Sequence, residues 1–179
     1  MPRRITIGLY NTYDRQRFRE AHRRVLARAA PLAMAFDFNL VTFGFPFPED
    51  KKTPAEIADF VADSTTIGEG GKYFRELAET GRFQWFDLPK KGLPPQFGTP
   101  VATTSRPLKE EITPAEVGKR VRSGESFILL FGLGPHGMSK KEKGLGKYHL
   151  DLTGKEISME TCTAIGSVCG VVWNEIERN

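Results

Sequence analysis

Short apolar strands alternate with amphipathic helical stretches along almost the whole chain, and no other feature constrains the fold as much. The alternation argues for an α/β layer: a mostly parallel sheet with helices on both faces. Arg4 to Tyr10 reads as a strand, and the helix after it, from about Arg17 to Phe36, carries an apolar stripe through Phe18, Ala21 or His22, Val25, Ala29, Leu32 and Phe36. Asn39 to Phe45 is a buried strand by its apolar and β-branched content, ended by Pro46 and Pro48. Thr53 and Pro54 supply an N-cap and a first-turn proline for a helix to Ala62. A turn at Gly68, Gly70 and Gly71 is expected before a short helix, Lys72 to Glu79. Phe83 to Leu88 and Pro100 to Thr104 are further strands, and Thr113 to Glu116 starts a helix that runs to Arg122. The most apolar strand, Ser126 to Gly132, comes next; Tyr148 to Leu152 is another apolar stretch, and a last helix spans Ser158 to about Glu177.

The 179 residues fit one domain of ~100–200 residues. No repeat or linker divides them, so a single domain over residues 1–179 is expected, with 46–98, which carry no readable motif, as a candidate insertion. At 39% hydrophobic and 11% aromatic residues the chain can bury a core, which excludes disorder as its main state. No apolar run approaches the roughly 18 residues of a membrane-spanning helix, and the first residues lack a signal-peptide core, so a cytoplasmic protein without a membrane partner is expected. Lysine and arginine (26) exceed aspartate and glutamate (22), which permits a polyanionic partner without requiring one. Cys162 and Cys169 lie seven residues apart on one helix, about 10.5 Å along its axis, beyond the ~7 Å reach of a disulfide. Two buried thiols are expected in their place.

Gly132-Leu133-Gly134-Pro135-His136-Gly137 has the GxGxxG spacing directly after a strand, with Asp151 at 19 residues beyond Gly132, about where a dinucleotide fold places its ribose acid. That fingerprint requires a crossover helix after the loop. Met138 to Lys147 is ten residues with glycines at 144 and 146, poor helix material, and only 42 residues follow Gly137. A full nicotinamide-binding domain does not fit. Two readings remain beside it: a glycine turn with no ligand, or a loop whose glycines let backbone approach a flat heterocycle such as an adenine edge. For the latter, Thr103-Thr104 and the segment from Leu152 through Thr153 and Gly154 to Ile157 and Ser158 would converge on the same pocket, because all three are loops after strand C-termini, where open α/β sheets bind ligands.

The pairing of Leu130-Phe131-Gly132-Leu133-Gly134-Pro135-His136-Gly137-Met138-Ser139 with the later Leu150-Asp151-Leu152-Thr153-Gly154-Lys155-Glu156-Ile157-Ser158-Met159 resembles the C-terminal signature of the SPOUT class (SpoU-TrmD) of RNA methyltransferases. The resemblance covers Ser126 to Asn179 and, more weakly, the first 45 residues, where Arg28-Ala29-Ala30 falls at the spacing of the family's arginine-containing motif. It implies a C-terminal trefoil knot that holds S-adenosylmethionine, a homodimer that completes the RNA site, and tRNA or rRNA as substrate. The cofactor-contacting positions it implies are Thr103, Thr104, Gly132, Leu133, Gly134, Gly137, Leu152, Thr153, Ile157 and Met159. Gly134 stands where the 2′-O-methylating branch has an acidic residue, Glu160 where it has asparagine, and His22 where an asparagine precedes the motif arginine.

Methyl transfer from a sulfonium is an in-line displacement that depends mainly on orientation. Arg28 is the candidate catalytic residue, to contact the acceptor or an RNA phosphate; the alternative is an ordinary surface arginine. Arg15, Arg17, Arg19, Arg23, Arg24 and Arg28 fall within fourteen residues, and Arg17, Arg24 and Arg28 are expected on one helical face. Arginine forks suit phosphate, so Arg15, Arg17 and Arg24 are candidate RNA contacts, as are Lys140 and Lys141 beside the glycine loop, with Lys143 and Lys147 of the same stretch open to the same reading. A solvated face is the competing reading for both groups. His136 reads as a loop residue that shapes the pocket, and His22, His149 and Asp151 do not form a metal-binding spacing. Trp85 and Trp173 are read as core or interface residues. A silent RNA-binding protein of the same fold and a nucleotide-dependent oxidoreductase are the rival functions.

Overall fold

A computed structural model describes residues 4–63 and 68–178. Six strands, β1 (Ile5–Asn11), β2 (Asn39–Phe43), β3 (Phe83–Phe86), β4 (Thr99–Thr103), β5 (Phe127–Leu133) and β6 (Tyr148–Leu150), form one sheet in the order β3-β2-β1-β5-β4-β6. Every pairing is parallel. The helices are α1 (Glu20–Ala35), α2 (Pro54–Ala62), α3 (Glu69–Glu79), α4 (Pro114–Arg122), α5 (Lys140–Lys143) and α6 (Thr161–Glu177), with a 3₁₀ turn at Pro95–Phe97. Residues 46–98 supply α2, α3 and the edge strand β3, which pairs in register with β2.

The two faces of the sheet are covered unequally. Ile5, Ile7 and Leu9 of β1 and Phe127, Leu129 and Phe131 of β5 share one core with buried side chains of α1, α2, α3, α4 and α6. The opposite face, with Tyr10, Val41, Phe43, Ala102, Ile128 and Leu130, is closed by Leu88, Leu93 and Phe97 and by Met138 and Leu145 on either side of α5. The expectation of helices on both faces thus holds only through α5 and the 3₁₀ turn. β1 and β5, buried along nearly their whole length, are the centre that two-sided apolar strands demand.

Three local departures from the sequence reading have physical causes. α1 starts at Glu20, not Arg17, because the Asp14 carboxylate accepts the N–H groups of Gln16 and Arg17 and holds them in a turn, while the His22 ring accepts the Arg19 N–H as a helix cap. Arg17 therefore lies off the helix and shares no helical face with Arg24 and Arg28. Gly70 and Gly71 are not a turn but the first turn of α3. Pro31, inside α1, removes the N–H that would pair with the Ala27 carbonyl; Gly70 approaches that same oxygen so closely that a β-carbon there would collide with it. The loop after β5 does hold one helical turn, α5, fixed by a capping box in which Ser139 accepts from the Glu142 N–H and Glu142 accepts from the Ser139 N–H.

Candidate functional site

In a parallel sheet the strand C-termini all open to one side, and β5, β4 and β6 are neighbours. The segments leaving them enclose a cavity of about 610 Å³, within the ~300–1,000 Å³ of small-molecule sites. Four hydrogen bonds set its floor and walls. The Thr103 hydroxyl donates to the Leu130 carbonyl at 2.7 Å, and the Thr161 hydroxyl, in the first turn of α6, donates to the Gly132 carbonyl at 3.0 Å. Thr104 N–H donates to the Leu150 carbonyl at 2.9 Å, and Ser105 and Ser158 join their hydroxyls at 2.9 Å, tying the loop after β4 to the segment before α6. Asp151 spends both carboxylate oxygens on the N–H groups of Thr153 and Glu156, which shapes the turn after β6.

The glycine loop is a tight turn closed by the Gly137 N–H on the Gly134 carbonyl at 3.2 Å. Gly137 has φ +61°, with no atom within 4 Å of where a β-carbon would stand, so its side faces open space. Gly134 differs: its β-carbon would meet the Thr12 carbonyl and hydroxyl oxygens at 3.0 Å, so this glycine serves contact with the chain after β1.

Eight of the ten expected cofactor positions line the cavity: Thr103, Thr104, Gly132, Gly134, Gly137, Leu152, Ile157 and Met159. Leu133 and Thr153 do not. Leu133 points into the helix-side core, where its carbonyl accepts both the N–H and the hydroxyl of Thr12, and Thr153 is exposed with its hydroxyl accepting the Lys155 N–H. Arg28 is exposed on α1 and outside the cavity wall, beside Glu160 and Cys162 at the start of α6. Burial pulls the Glu160 carboxyl upward, but the N–H groups of Cys162 and Thr163, with Arg28 nearby, outweigh it and hold the group below the usual range. Cys162 is only half-buried, its thiol raised first by burial and then by Glu160, whereas Cys169 is fully buried and raised by burial alone. The expectation of two buried thiols is corrected for Cys162.

Arg15 is paired with Glu142 of α5 at 2.9 Å, while Arg17, Arg24, Lys140 and Lys141 are exposed. His136 lies on the cavity rim, and His149 is buried, its Nδ1 accepting the Leu108 N–H and its Nε2 donating to the Lys143 carbonyl. Trp85 stacks on Phe83 at the sheet edge, and Trp173 lies half-exposed against Phe36. No three acidic, histidine or cysteine side chains among the described residues are placed to hold a metal.

Sequence reasoning missed Arg106 and Thr161 as wall residues, and it left Lys143 between an RNA contact near the cofactor and a solvated lysine. Thr161 carries a readable signal, a hydroxyl residue at a helix start. Lys143 does not, because only the packing of α5 against β6 turns one lysine of a charged run inward.

Solved structures share this architecture. A protein described as a probable methyltransferase from Bordetella pertussis Tohama I superposes with a TM-score of 0.68 at 14% identity, covering 97% of this chain and 96% of that one. The TrmH/SpoU tRNA modifying enzyme of A. aeolicus gives 0.55 at 13% identity, covering 98% and 77%. The SpoU methyltransferase AviRb of Streptomyces viridochromogenes, solved with the cofactor AdoMet, gives 0.52 at 13% identity, covering 97% and 58%. The six-stranded parallel sheet, with its cavity at three adjacent strand ends, has the fold of SpoU/TrmH-type SPOUT methyltransferases. The chain belongs to the DUF531 family, whose model, described as a protein of unknown function, matches residues 5–173. A relative in the archaeon Methanocaldococcus jannaschii, the uncharacterized protein MJ0224, is 42% identical over 172 residues, 96% of this chain and 94% of the relative.

Proposed function

We propose that this protein is an S-adenosylmethionine-dependent RNA methyltransferase acting on tRNA or rRNA. The observation that carries the reading is the convergence of the three strand-end segments on one cavity, in a fold whose neighbours include a tRNA modifying enzyme and a methyltransferase bound to AdoMet. The residues suit the donor. Gly137 leaves open the space that a side chain would fill, Leu150, Leu152, Met138 and Ile157 offer apolar flanks for a flat ring, and the turns at 132–137 and 151–158 present backbone edges for adenine. Thr103, Thr104, Gly132, Gly137, Leu152, Ile157 and Met159 are the contacts in this reading; Gly134, Leu133 and Thr153 shape the loops behind them.

Bound S-adenosylmethionine supplies an electrophilic methyl group. The chain's own part is to orient: strand ends fix the ring, and the Thr161–Gly132 and Ser105–Ser158 hydrogen bonds hold the walls. Arg28, next to the Glu160 cap just beyond Met159, is proposed to contact the acceptor, and Arg15, Arg17, Arg24, Lys140 and Lys141 to meet phosphates around it. The reading extends to a C-terminal trefoil knot, a homodimer, and a protein of the cytoplasm, where tRNA and rRNA are modified. Calorimetry tests it: S-adenosylhomocysteine is expected to bind and NADH not to. Mass spectrometry of RNA nucleosides from cells with and without the gene is expected to show one methylated nucleoside lost. Binding of NADH alone, or an unchanged nucleoside profile, overturns it, and light scattering in solution decides between monomer and dimer.

A further inference from the structure

Lys143 is one of two charged side chains among the described residues that are buried. The residue is 9% exposed and lines the cavity, and among the described residues the hydrogen-bond partner of its ammonium is the Arg106 carbonyl at 2.9 Å. Among the described residues no ion pair includes Lys143, Arg106 or Lys140, the three cations on this wall. The nearby carboxylates are engaged elsewhere, Asp151 with two backbone N–H groups and Glu142 with Arg15 and the Ser139 N–H. An ammonium partly withdrawn from water without a counter-charge is disfavoured, and its cationic neighbours add repulsion in place of relief. Burial, then Arg106 and Lys140, lower the Lys143 pKa.

We infer that Lys143, Arg106 and Lys140 form a phosphate subsite in the cavity that takes an RNA phosphodiester next to the nucleotide being methylated. The assignment rests on the methyltransferase reading above for the RNA, and on the cation cluster alone for the phosphate. A donor carboxylate is the poorer occupant. The one carboxylate of S-adenosylmethionine comes with an ammonium on the same carbon, which offsets its charge at this wall, whereas a phosphodiester brings a full negative charge with no cation attached. Geometry agrees: Lys143 is the buried anchor, while Arg106 and Lys140 are exposed at the rim, where a polymer can reach them. An arginine fork beside a lysine point charge is the usual equipment for phosphate.

The test uses the full-length protein and its variants Lys143→Met and Arg106→Gln, with bulk tRNA and S-adenosylhomocysteine as separate probes. Lys143→Met keeps the stem and removes the unpaired charge, so its Tm is expected to match or exceed that of the parent. Arg106→Gln alters an exposed side chain and serves if Lys143→Met fails to fold. Each variant is expected to bind tRNA at least about 10-fold more weakly at low salt, with the slope of log K against log salt shallower by about 0.7–0.9 per lost contact, and to bind S-adenosylhomocysteine as the parent does. Parental tRNA affinity and salt slope in both variants overturn the subsite. Loss of S-adenosylhomocysteine binding with tRNA binding retained reassigns the cations to the donor carboxylate and overturns it equally. If the parent binds tRNA but no S-adenosylhomocysteine, the methyltransferase reading fails, and the variants still decide the phosphate site.

Discussion

Gly134 and Gly137 belong to one GxGxxG string, yet they do different work. Gly137→Leu puts a side chain at φ +61° into open cavity space; the strain of a left-handed residue is about 1–3 kcal/mol, so the fold is expected to survive while S-adenosylhomocysteine binding is lost. Gly134→Leu drives its β-carbon against the Thr12 backbone at φ +151° and is expected to cost more stability than Gly137→Leu in urea unfolding. A more stable Gly134 variant would contradict the contact seen here. His22 gives a second prediction at this scale. It is fully buried among Phe18, Tyr13 and Phe45, and burial, only partly offset by Asp14, lowers its pKa. The folded protein keeps the ring neutral, while the unfolded chain takes up a proton near pH 6.5, so the unfolded state binds more protons as pH falls through that value and stability drops until the folded pKa is reached. The slope cannot exceed about 1.4 kcal/mol per pH unit for one proton. Melting curves from pH 7.5 to 5.5 are expected to fall, and to fall less in His22→Gln; equal falls would exonerate the ring.

Elements are positioned as much by missing side chains as by those present. Gly118 lets α4 meet the backbone of α6 at Glu175, where a β-carbon would come within 2.7 Å. Because Thr161, Ala164 and Val168 of α6 line the cavity, Gly118→Leu is expected to lose about 1–3 kcal/mol and to weaken S-adenosylhomocysteine binding together with stability. Gly118→Ala should show the same in smaller measure, and unchanged unfolding in both would mean the helices are not so close. The long elements were legible because their periodicity is local: strands near 5–10, 39–43 and 127–133, and capped helices at Thr53 and Thr113. The start of α1 was not, because it is decided by an aspartate five residues upstream of its cap, and the glycines of α3 misled because their role is contact with Ala27 on another helix. The site followed the same rule. Turns after strand ends could be read one by one, whereas Lys143 and Thr161 gained their positions only from tertiary packing.

At the scale of the whole molecule, one side of the sheet is roofed by five helices, while the other is closed by residues 87–98, the turn of α5 and the loop around it. The roof of loops has few repeating backbone hydrogen bonds to hold it, so it should come off first when the native state opens locally. Trypsin under native conditions is expected to cut at exposed Lys90 or Lys91 before any bond in α1 or α6, and urea well below the midpoint should hasten that cut without changing far-ultraviolet ellipticity. First cleavage within α1 would reverse the order. Since the same loop-covered side carries α5, and with it Lys140 and Lys143 of the cavity wall, local opening there is expected to widen the cavity while the helix-covered side stays closed.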